Sequence, residues 1–414
     1  MKVLLKTYGC RANQYDTEAL RGMLAAEGID EVDRAEDADY AVFNSCSVTS
    51  SAEADLRSDI RRASRANPSL RSVVMGCAPG VVDRNETLAP LRSLPTVECI
   101  VAGADLQSVA AVLGIRGHEA ARPSVQTGAR ALLRIQEGCD EHCTFCVTTI
   151  ARGENRSRSQ REIVEEAQAL SNSHTEIVLT GIHIGSYGLD VGTSLGALVE
   201  TLVRETDSVR FRLTSIEATE VDDKLATLFA DSSGRLVPHL HAPLQSGSDR
   251  ILRRMGRNWY SAERYAECVN RILGNREIFA LSGDVISGFP GETDSDHNDT
   301  LELIDRLPFT ALHVFPYSPR PGTAAWKLAG VVPERIASDR AAELRALARE
   351  KSAAYEGRRL GGPAEVVVID RGSGLTEDYL SVDISDTRIP RRSRFAATLA
   401  RVKGRVTATP QSLE

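Results

Sequence analysis

The chain has 414 residues, 42% hydrophobic and 26% charged, ordinary values for a globular protein of two or three domains that each bury a core. No apolar run approaches the roughly 18 residues of a membrane span, and the apolar part of "MKVLLKTYGC" is too short for a signal peptide, so a cytoplasmic protein without membrane attachment is expected. A formal net charge of −7 excludes a global attraction to nucleic acid, so RNA contact would have to come from local basic surface.

Residues 1–120 alternate strand and helix patterns. The runs "KVLLKTYGC", "DYAVFNSC" and "RSVVMGC" end at Cys10, Cys46 and Cys77. Between the first two, Leu20, Met23 and Leu24 share a helix face that Gly28 stops. Between the second two, Ser50 and Glu53 fit a capping box, Leu56, Ile60 and Ala63 follow at helical spacing, and Asn67-Pro68 ends the pattern. The cysteines are 36 and 31 residues apart, one strand–helix unit each. In a parallel α/β sheet the strand C-termini share one edge, where ligands bind, so three cysteines just past three strands can converge on a shared ligand. The alternative is three buried core thiols.

Residues 125–355 repeat the strand–helix rhythm six times, with strands in "ALLRIQ", "EIVLTG", "RFRLTS", "PHLHAPL", "FALSGDVIS" and "ALHVFPY". Six units are too few for an eight-stranded barrel and suit an open, partial (β/α)6 one. Thr180-Gly181, Ser215 with Glu217, Gln245-Ser246 and Gly288 fall at strand ends, the face where barrels build their chemistry.

Directly after the first of these strands, "EGCDEHCTFCVTT" carries Cys139, Cys143 and Cys146. Four thiolates would close a zinc site or saturate a cubane, whereas three leave one metal position open. A four-iron cluster with one free iron is what anchoring S-adenosylmethionine through its amino and carboxylate groups requires. Phe145 fits an apolar wall beside a bound adenine. A zinc knuckle using His142 or a remote ligand is the alternative that spacing leaves open, and the position after a first barrel strand favours the cluster.

A long charged helix, "PERIASDRAAELRALAREKSAAYEGRRL", leads to residues 361–414, which read as a small β domain. Its stretch from Thr387 to Arg405 holds seven basic residues and no acidic one, a footprint for nucleic acid or a solvated surface. Cys99 and Cys268 read as plain core thiols.

The Cys139-x3-Cys143-x2-Cys146 loop resembles the radical S-adenosylmethionine superfamily. "KTYGCRANQYDTEAL", "FNSCSVTSSA", "MGCAPG", "IQEGCDEHCTFC", "RGENRSRS", "HLHAPLQSGSDRILRRM" and "GDVISGFPGETDSD" resemble, in order, the blocks of its methylthiotransferases. The likeness covers nearly the whole chain, and the C-terminal β domain resembles the TRAM domain, an RNA-binding module. "CRANQYDTEAL", "CSVTSSAEADLRSDIRRA", "TGIHIGSYG" and "HVFPYSPRPGT" are most similar to the branch acting on N6-threonylcarbamoyladenosine beside the anticodon. Other branches act on N6-isopentenyladenosine in tRNA or on a ribosomal-protein aspartate. A more distant reading is a non-catalytic RNA-binding protein with structural metal sites.

The resemblance implies an α/β chain of three parts. These are an N-terminal parallel α/β domain (1–120) with an auxiliary iron–sulfur site, a partial radical barrel (125–355) and a TRAM-like β-barrel (361–414). It implies two [4Fe–4S] clusters, one on Cys139, Cys143 and Cys146 and an auxiliary one on Cys10, Cys46 and Cys77. With strand-end position it nominates Thr180, Gly181, Ser215, Glu217 and Gln245 as S-adenosylmethionine contacts, or as structural residues behind them. The cofactor carries the hard step at an unactivated adenine C2, so no acid–base pair is expected. The implied partners are the tRNA anticodon loop and an electron donor such as flavodoxin or ferredoxin. Arg57, Arg61 and Arg65 form a helical stripe, and Arg152, Arg156, Arg158 and Arg161 follow the cluster loop; both groups are candidates for the tRNA backbone. The chain departs from the family at Thr148-Thr149-Ile150, where a proline and an aromatic are usual, at Ala218 in place of proline, and at His297 in place of phenylalanine.

Overall fold

Five short segments near the N-terminus, most of them apolar, pair into one parallel sheet. Its strands are β1 (Lys2–Thr7), β2 (Asp30–Glu31), β3 (Tyr40–Ser45), β4 (Arg71–Gly76) and β5 (Val97–Ile100), in the order β2-β1-β3-β4-β5. The computed structural model describes all residues except 48–49, 81–88, 116–123, 232–233, 275 and 412–414, and the side chains of Ser50, Ser51, Ala89 and Pro90 are also outside the description. Two units make up the chain: Met1–Ser124 with Gln136–Arg156 and Ser318–Trp326, and Val125–Ile135 with Ser157–Tyr317 and Lys327–Glu414.

In the first unit, helices cover both faces of the sheet, which is why its central strands are continuous apolar runs rather than alternating ones. Helix α1 (Arg11–Ala26) buries Leu20, Met23 and Leu24 against Val42 and Val73. On the other face, α2 (Ser50–Ala66) buries Leu56, Ile60 and Ala63 against Phe43 and Val74. The capping box expected at Ser50 lies outside the described side chains; Glu53 pairs with Arg320, 3.2 Å away. Short helices α3 (Cys77–Gly80), α4 (Ala89–Arg92) and α5 (Leu106–Val112) complete this part.

The second unit begins with β6 (Ala131–Arg134). After the cysteine loop, which belongs to the first unit as far as Arg156 and holds β7 (Gln136–Glu137), α6 (Thr148–Arg152) and the start of β8 (Arg156–Ser157), come α7 (Gln160–Ser171), β9 (Glu176–Thr180), α8 (Leu195–Glu205), β10 (Arg210–Leu213) and α9 (Asp223–Ala230). Then follow β11 (His239–His241), α10 (Asp249–Arg254), α11 (Ala262–Leu273), β12 (Ala280–Ser287), α12 (Asp294–Arg306) and β13 (Phe309–Pro316). Two three-stranded parallel sheets, β6-β9-β10 and β11-β12-β13, are joined by parallel bridges Phe211–Leu236 and Ser215–His241. The six expected strands thus stand side by side in chain order. Helices α7, α8, α9, α11 and α12 each start on a Ser, Asp or Thr whose side chain accepts a backbone N–H of the first turn. Such a cap contributes about 1 kcal/mol. His297, the departure on α12, is buried and pairs through Nε2 with Glu343 at 2.7 Å, a contact phenylalanine could not make.

Helix α13 (Glu334–Arg359) leads to a closed barrel in the order β14-β15-β16-β18-β17, from β14 (Pro363–Asp370), β15 (Ser373–Thr376), β16 (Ser381–Ile384), β17 (Arg394–Val402) and β18 (Arg405–Pro410). This small barrel belongs to the same unit as the six parallel strands. Glu176, fully buried, takes Arg210 Nε at 2.6 Å and Arg212 Nε at 2.7 Å, with Arg130 Nη1 at 3.4 Å. Arg210 reaches on to the Glu365 carbonyl (3.2 Å) and Arg212 to that of Thr376 (3.2 Å). The ring of Tyr379 lies under Arg212 and stacks on His239. Among the described residues no helix is long and apolar enough to cross a membrane.

Candidate active site

Cys10, Cys46 and Cys77 are brought together where β1, β3 and β4 end. Asn13 Oδ1 lies 3.8 Å from both Cys10 Sγ and Cys77 Sγ. Asn13 is itself fixed, because its Nδ2 donates to the carbonyls of Tyr8 (2.9 Å) and Ser45 (2.8 Å). Cys46 packs on the chain just before Cys10: Gly9 has φ +90°, and a Cβ there would stand 2.7 Å from Cys46 Sγ. Glycine is required at that position by conformation and by space together. Burial pushes the Cys77 thiol up to about 11, and the neighbouring Arg152 guanidinium pulls the other way. Cys99 is partly buried on β5 and Cys268 is buried on α11, both among apolar neighbours.

Arg152 overturns one expectation. It is placed by sequence on the tRNA-facing surface, yet its side chain is 1% exposed and salt-bridged to Asp16 (2.9 Å) and Glu137 (3.2 Å). Its Nε donates to Cys77 Sγ at 3.3 Å and its Nη2 to Asn13 Oδ1 at 2.5 Å. Burial would lower the guanidinium's proton affinity, but Asp16, Cys77 and Glu137 outweigh it and hold the group firmly charged.

Cys139, Cys143 and Cys146 share one tight loop. The backbone N–H of Glu141 donates to Cys139 Sγ and that of Thr148 to Cys146 Sγ, each at 3.4 Å, while Cys146 N–H closes a turn on the Cys143 carbonyl. Backbone N–H groups aimed at sulfur suit thiolate ligands and tune a cluster they hold. Thr148, one of the departures, puts its hydroxyl 3.0 Å from Cys146 Sγ. The neck of the loop is pinned by Gln136 Nε2, which donates to Gly138 O and Asn155 Oδ1. Ile150, part of the same departure, and Trp326, which the sequence did not mark, are large apolar side chains left exposed in this unit.

Among the described residues, only His241, Asp284 and His313 bring three ligating atoms within 4.8 Å of one another. Each cysteine trio is spaced wider. One tetrahedral zinc with Zn–S bonds of about 2.3 Å holds its sulfurs about 3.8 Å apart, so the trios as they stand do not fit it. Three gathered thiols without a fourth are the donor set that an iron–sulfur cluster with one open iron would take.

In the second unit Thr180 closes β9, almost fully buried, with Gly181 next, and Ser215 bridges to His241 beyond β10. The Glu217 carboxylate is gripped by Arg257 and by Trp259 Nε1 at 2.7 Å. Gln245 is held at φ +65°, and its carbonyl accepts the Ile286 N–H. A non-glycine residue at positive φ is strained, and such strain gathers at ligand sites. His241, Asp284 and His313 line the same face of β11, β12 and β13, and this cluster was missed. His241 Nε2 lies 3.2 Å from Asp284 Oδ2, and its Nδ1 lies 2.9 Å from Ser282 Oγ. The signal was available: "HLH", Asp284 and His313 stand at alternate strand positions.

Of the other basic candidates, Arg61, Arg65, Arg156 and Arg161 are exposed and Arg57 is half-buried. Arg158 is occupied by Glu166 and the Arg134 carbonyl. In the C-terminal barrel, Arg392 donates to the Gln126 carbonyl and Arg394 to that of Ser208, so both fasten the barrel to the six-stranded part instead of lying free for RNA. Arg388 and Arg405 stay at the surface beside Asp386 and Asp383.

These features define a radical S-adenosylmethionine enzyme. Residues 133–304 match the Radical SAM superfamily, and residues 2–102 match a family described as Uncharacterized protein family UPF0004. The radical methyltransferase TsrM from Kitasatospora setae shares the fold, with a TM-score of 0.59 at 14% identity over 78% of this chain and 76% of that one. A threonylcarbamoyladenosine tRNA methylthiotransferase from Aquifex aeolicus is 35% identical over 92% of this chain and 96% of its own length. A tRNA-2-methylthio-N(6)-dimethylallyladenosine synthase from Erythrobacter litoralis is 34% identical over 88% and 85%. The chain belongs to the radical S-adenosylmethionine tRNA methylthiotransferases.

Proposed function

We propose that this chain adds a methylthio group at C2 of N6-threonylcarbamoyladenosine beside the anticodon of tRNA. It holds two [4Fe–4S] clusters, one on Cys139, Cys143 and Cys146 and an auxiliary one on Cys10, Cys46 and Cys77. The observation that carries this reading is the gathering of two separate thiol trios, neither with a fourth cysteine, in a chain similar to enzymes named for threonylcarbamoyladenosine. When bound, these groups supply reductive cleavage of one S-adenosylmethionine to a 5′-deoxyadenosyl radical that takes the C2 hydrogen, and a sulfur that a second S-adenosylmethionine methylates. The chain's residues bind and orient. Thr180, Gly181, Ser215, Glu217 and Gln245 contact S-adenosylmethionine, and Arg257 with Trp259 keeps the Glu217 carboxylate from turning. A flavodoxin- or ferredoxin-like donor supplies the electron. Of the basic candidates, Arg61, Arg65, Arg156 and Arg161 remain for the tRNA backbone.

A polar N6 substituent is supported by His241, Asp284 and His313. An isopentenyl group laid against them would strip their water and return no hydrogen bond. The isopentenyl reading rests on the Erythrobacter relative. Synthetic anticodon stem-loops that differ only in the N6 group, incubated with anaerobically reconstituted protein and a reductant, separate the two by nucleoside mass analysis. Methylthiolation of the threonylcarbamoyl substrate is expected. Methylthiolation of the isopentenyl substrate alone, or no release of 5′-deoxyadenosine, overturns the proposal.

A further inference from the structure

We infer that Arg152 is the built-in counter-charge of the auxiliary cysteine site, a positioning residue that raises the reduction potential of the group held there. The inference rests on the two-cluster reading above. Four contacts of one buried guanidinium carry it. Nε donates to the sulfur of Cys77, Nη2 to Asn13 Oδ1, which also lies beside Cys10, and Nη1 meets Asp16 and Glu137.

A purely structural arginine would be satisfied by the two carboxylates. This one turns its third nitrogen to a thiol. The local charge explains the need. The guanidinium meets two carboxylates and the Cys77 thiol, beside which Cys10 and Cys46 also stand, and thiols become thiolates when they bind iron, so the surroundings are strongly anionic. In a buried site such charge makes the addition of an electron harder, and a hydrogen bond to a ligand sulfur with a nearby cation offsets it. The same positive charge favours docking of an anionic sulfur species at the position that three thiolates leave open.

Arg152 also ends α6, the helix that begins two residues after Cys146, and Glu137 stands two residues before Cys139. The loop carrying one trio is therefore tethered at both ends to the guanidinium that serves the other.

Opposite shifts are expected from two substitutions. Each is made in full-length protein carrying only the auxiliary cluster (Cys139, Cys143 and Cys146→Ala), reconstituted anaerobically and followed by potentiometric titration with EPR. Arg152→Gln moves the auxiliary potential to more negative values, Arg152→Lys restores part of it, and Glu137→Gln moves it to more positive values. In protein carrying only the other cluster (Cys10, Cys46 and Cys77→Ala), Arg152→Gln has the smaller effect. If Arg152→Gln does not load iron, the Glu137→Gln shift decides alone, since that variant keeps the guanidinium. Unchanged auxiliary potentials, or equal shifts of both clusters, overturn the inference. Failure of the two-cluster reading shows separately, as an unsubstituted protein that binds about four irons rather than about eight.

Discussion

His313 is the most exposed side chain of the cluster it forms with His241 and Asp284. A site that hydrogen-bonds a substrate group rejects an analogue lacking it by about 10⁴-fold or more, because its polar groups are left unpaired. His313→Phe removes one of them. The expected outcome is a fall in kcat/KM on the threonylcarbamoyl stem-loop with a rise on the isopentenyl one, measured in parallel; equal loss on both would mean that the residue only packs. The gathering of Cys10, Cys46 and Cys77 and the shared loop of Cys139, Cys143 and Cys146 were legible in sequence because a parallel sheet delivers strand ends to one edge and a Cys-x3-Cys-x2-Cys loop needs no tertiary information. Arg152 was not. An arginine in a polar stretch is normally solvated, and Asp16, Asn13 and Cys77, far from it in sequence, with Glu137 across the loop, make its burial tolerable.

The cysteine loop depends on its entry turn. Gly138 has φ +74°, and a Cβ there would run into the Glu154 carbonyl oxygen, since the two arms of the loop pass each other at that point. Both the conformation and the crossing exclude a side chain. Gly138→Ala is expected to lower the iron retained after reconstitution from about eight to about four per chain, with the auxiliary share kept. Loss of all iron would show that the arms serve the whole unit. The helices and strands around this loop followed from periodicity and caps: the six strands of residues 125–355 stand where apolar runs placed them. What periodicity could not show is that residues 136–156 group with the N-terminal sheet rather than with the strand they follow. That grouping comes from side chains such as Arg152, whose partners are remote in sequence.

At the scale of the whole chain, the acidic balance conceals a concentration of buried positive charge. Glu176 faces Arg130, Arg210 and Arg212. Burial alone would raise its carboxyl, but Arg212, Arg210 and Arg130 outweigh that and hold it well below the ordinary carboxylate range. A depressed folded value contributes stability that is complete above the unfolded value, about 4.3, and is lost as pH falls toward the folded one. Glu176→Gln leaves the guanidinium groups uncompensated and is expected to cost about 3–5 kcal/mol in denaturant unfolding at neutral pH. The loss should shrink as the pH drops below about 4; a flat difference across pH would refute the ionic account. The sequence marked residues 361–414 as a small β domain by its short β segments, with its arginines as a nucleic-acid footprint or a solvated surface; Arg392 and Arg394 grip the backbone of the six-stranded part, and Glu365 and Thr376 accept from Arg210 and Arg212. For anyone assembling chimaeras, the terminal barrel is thus a foundation stone. Exchanging it for another barrel would unroof Arg210 and Arg212, and the graft is expected to fail at folding rather than at binding.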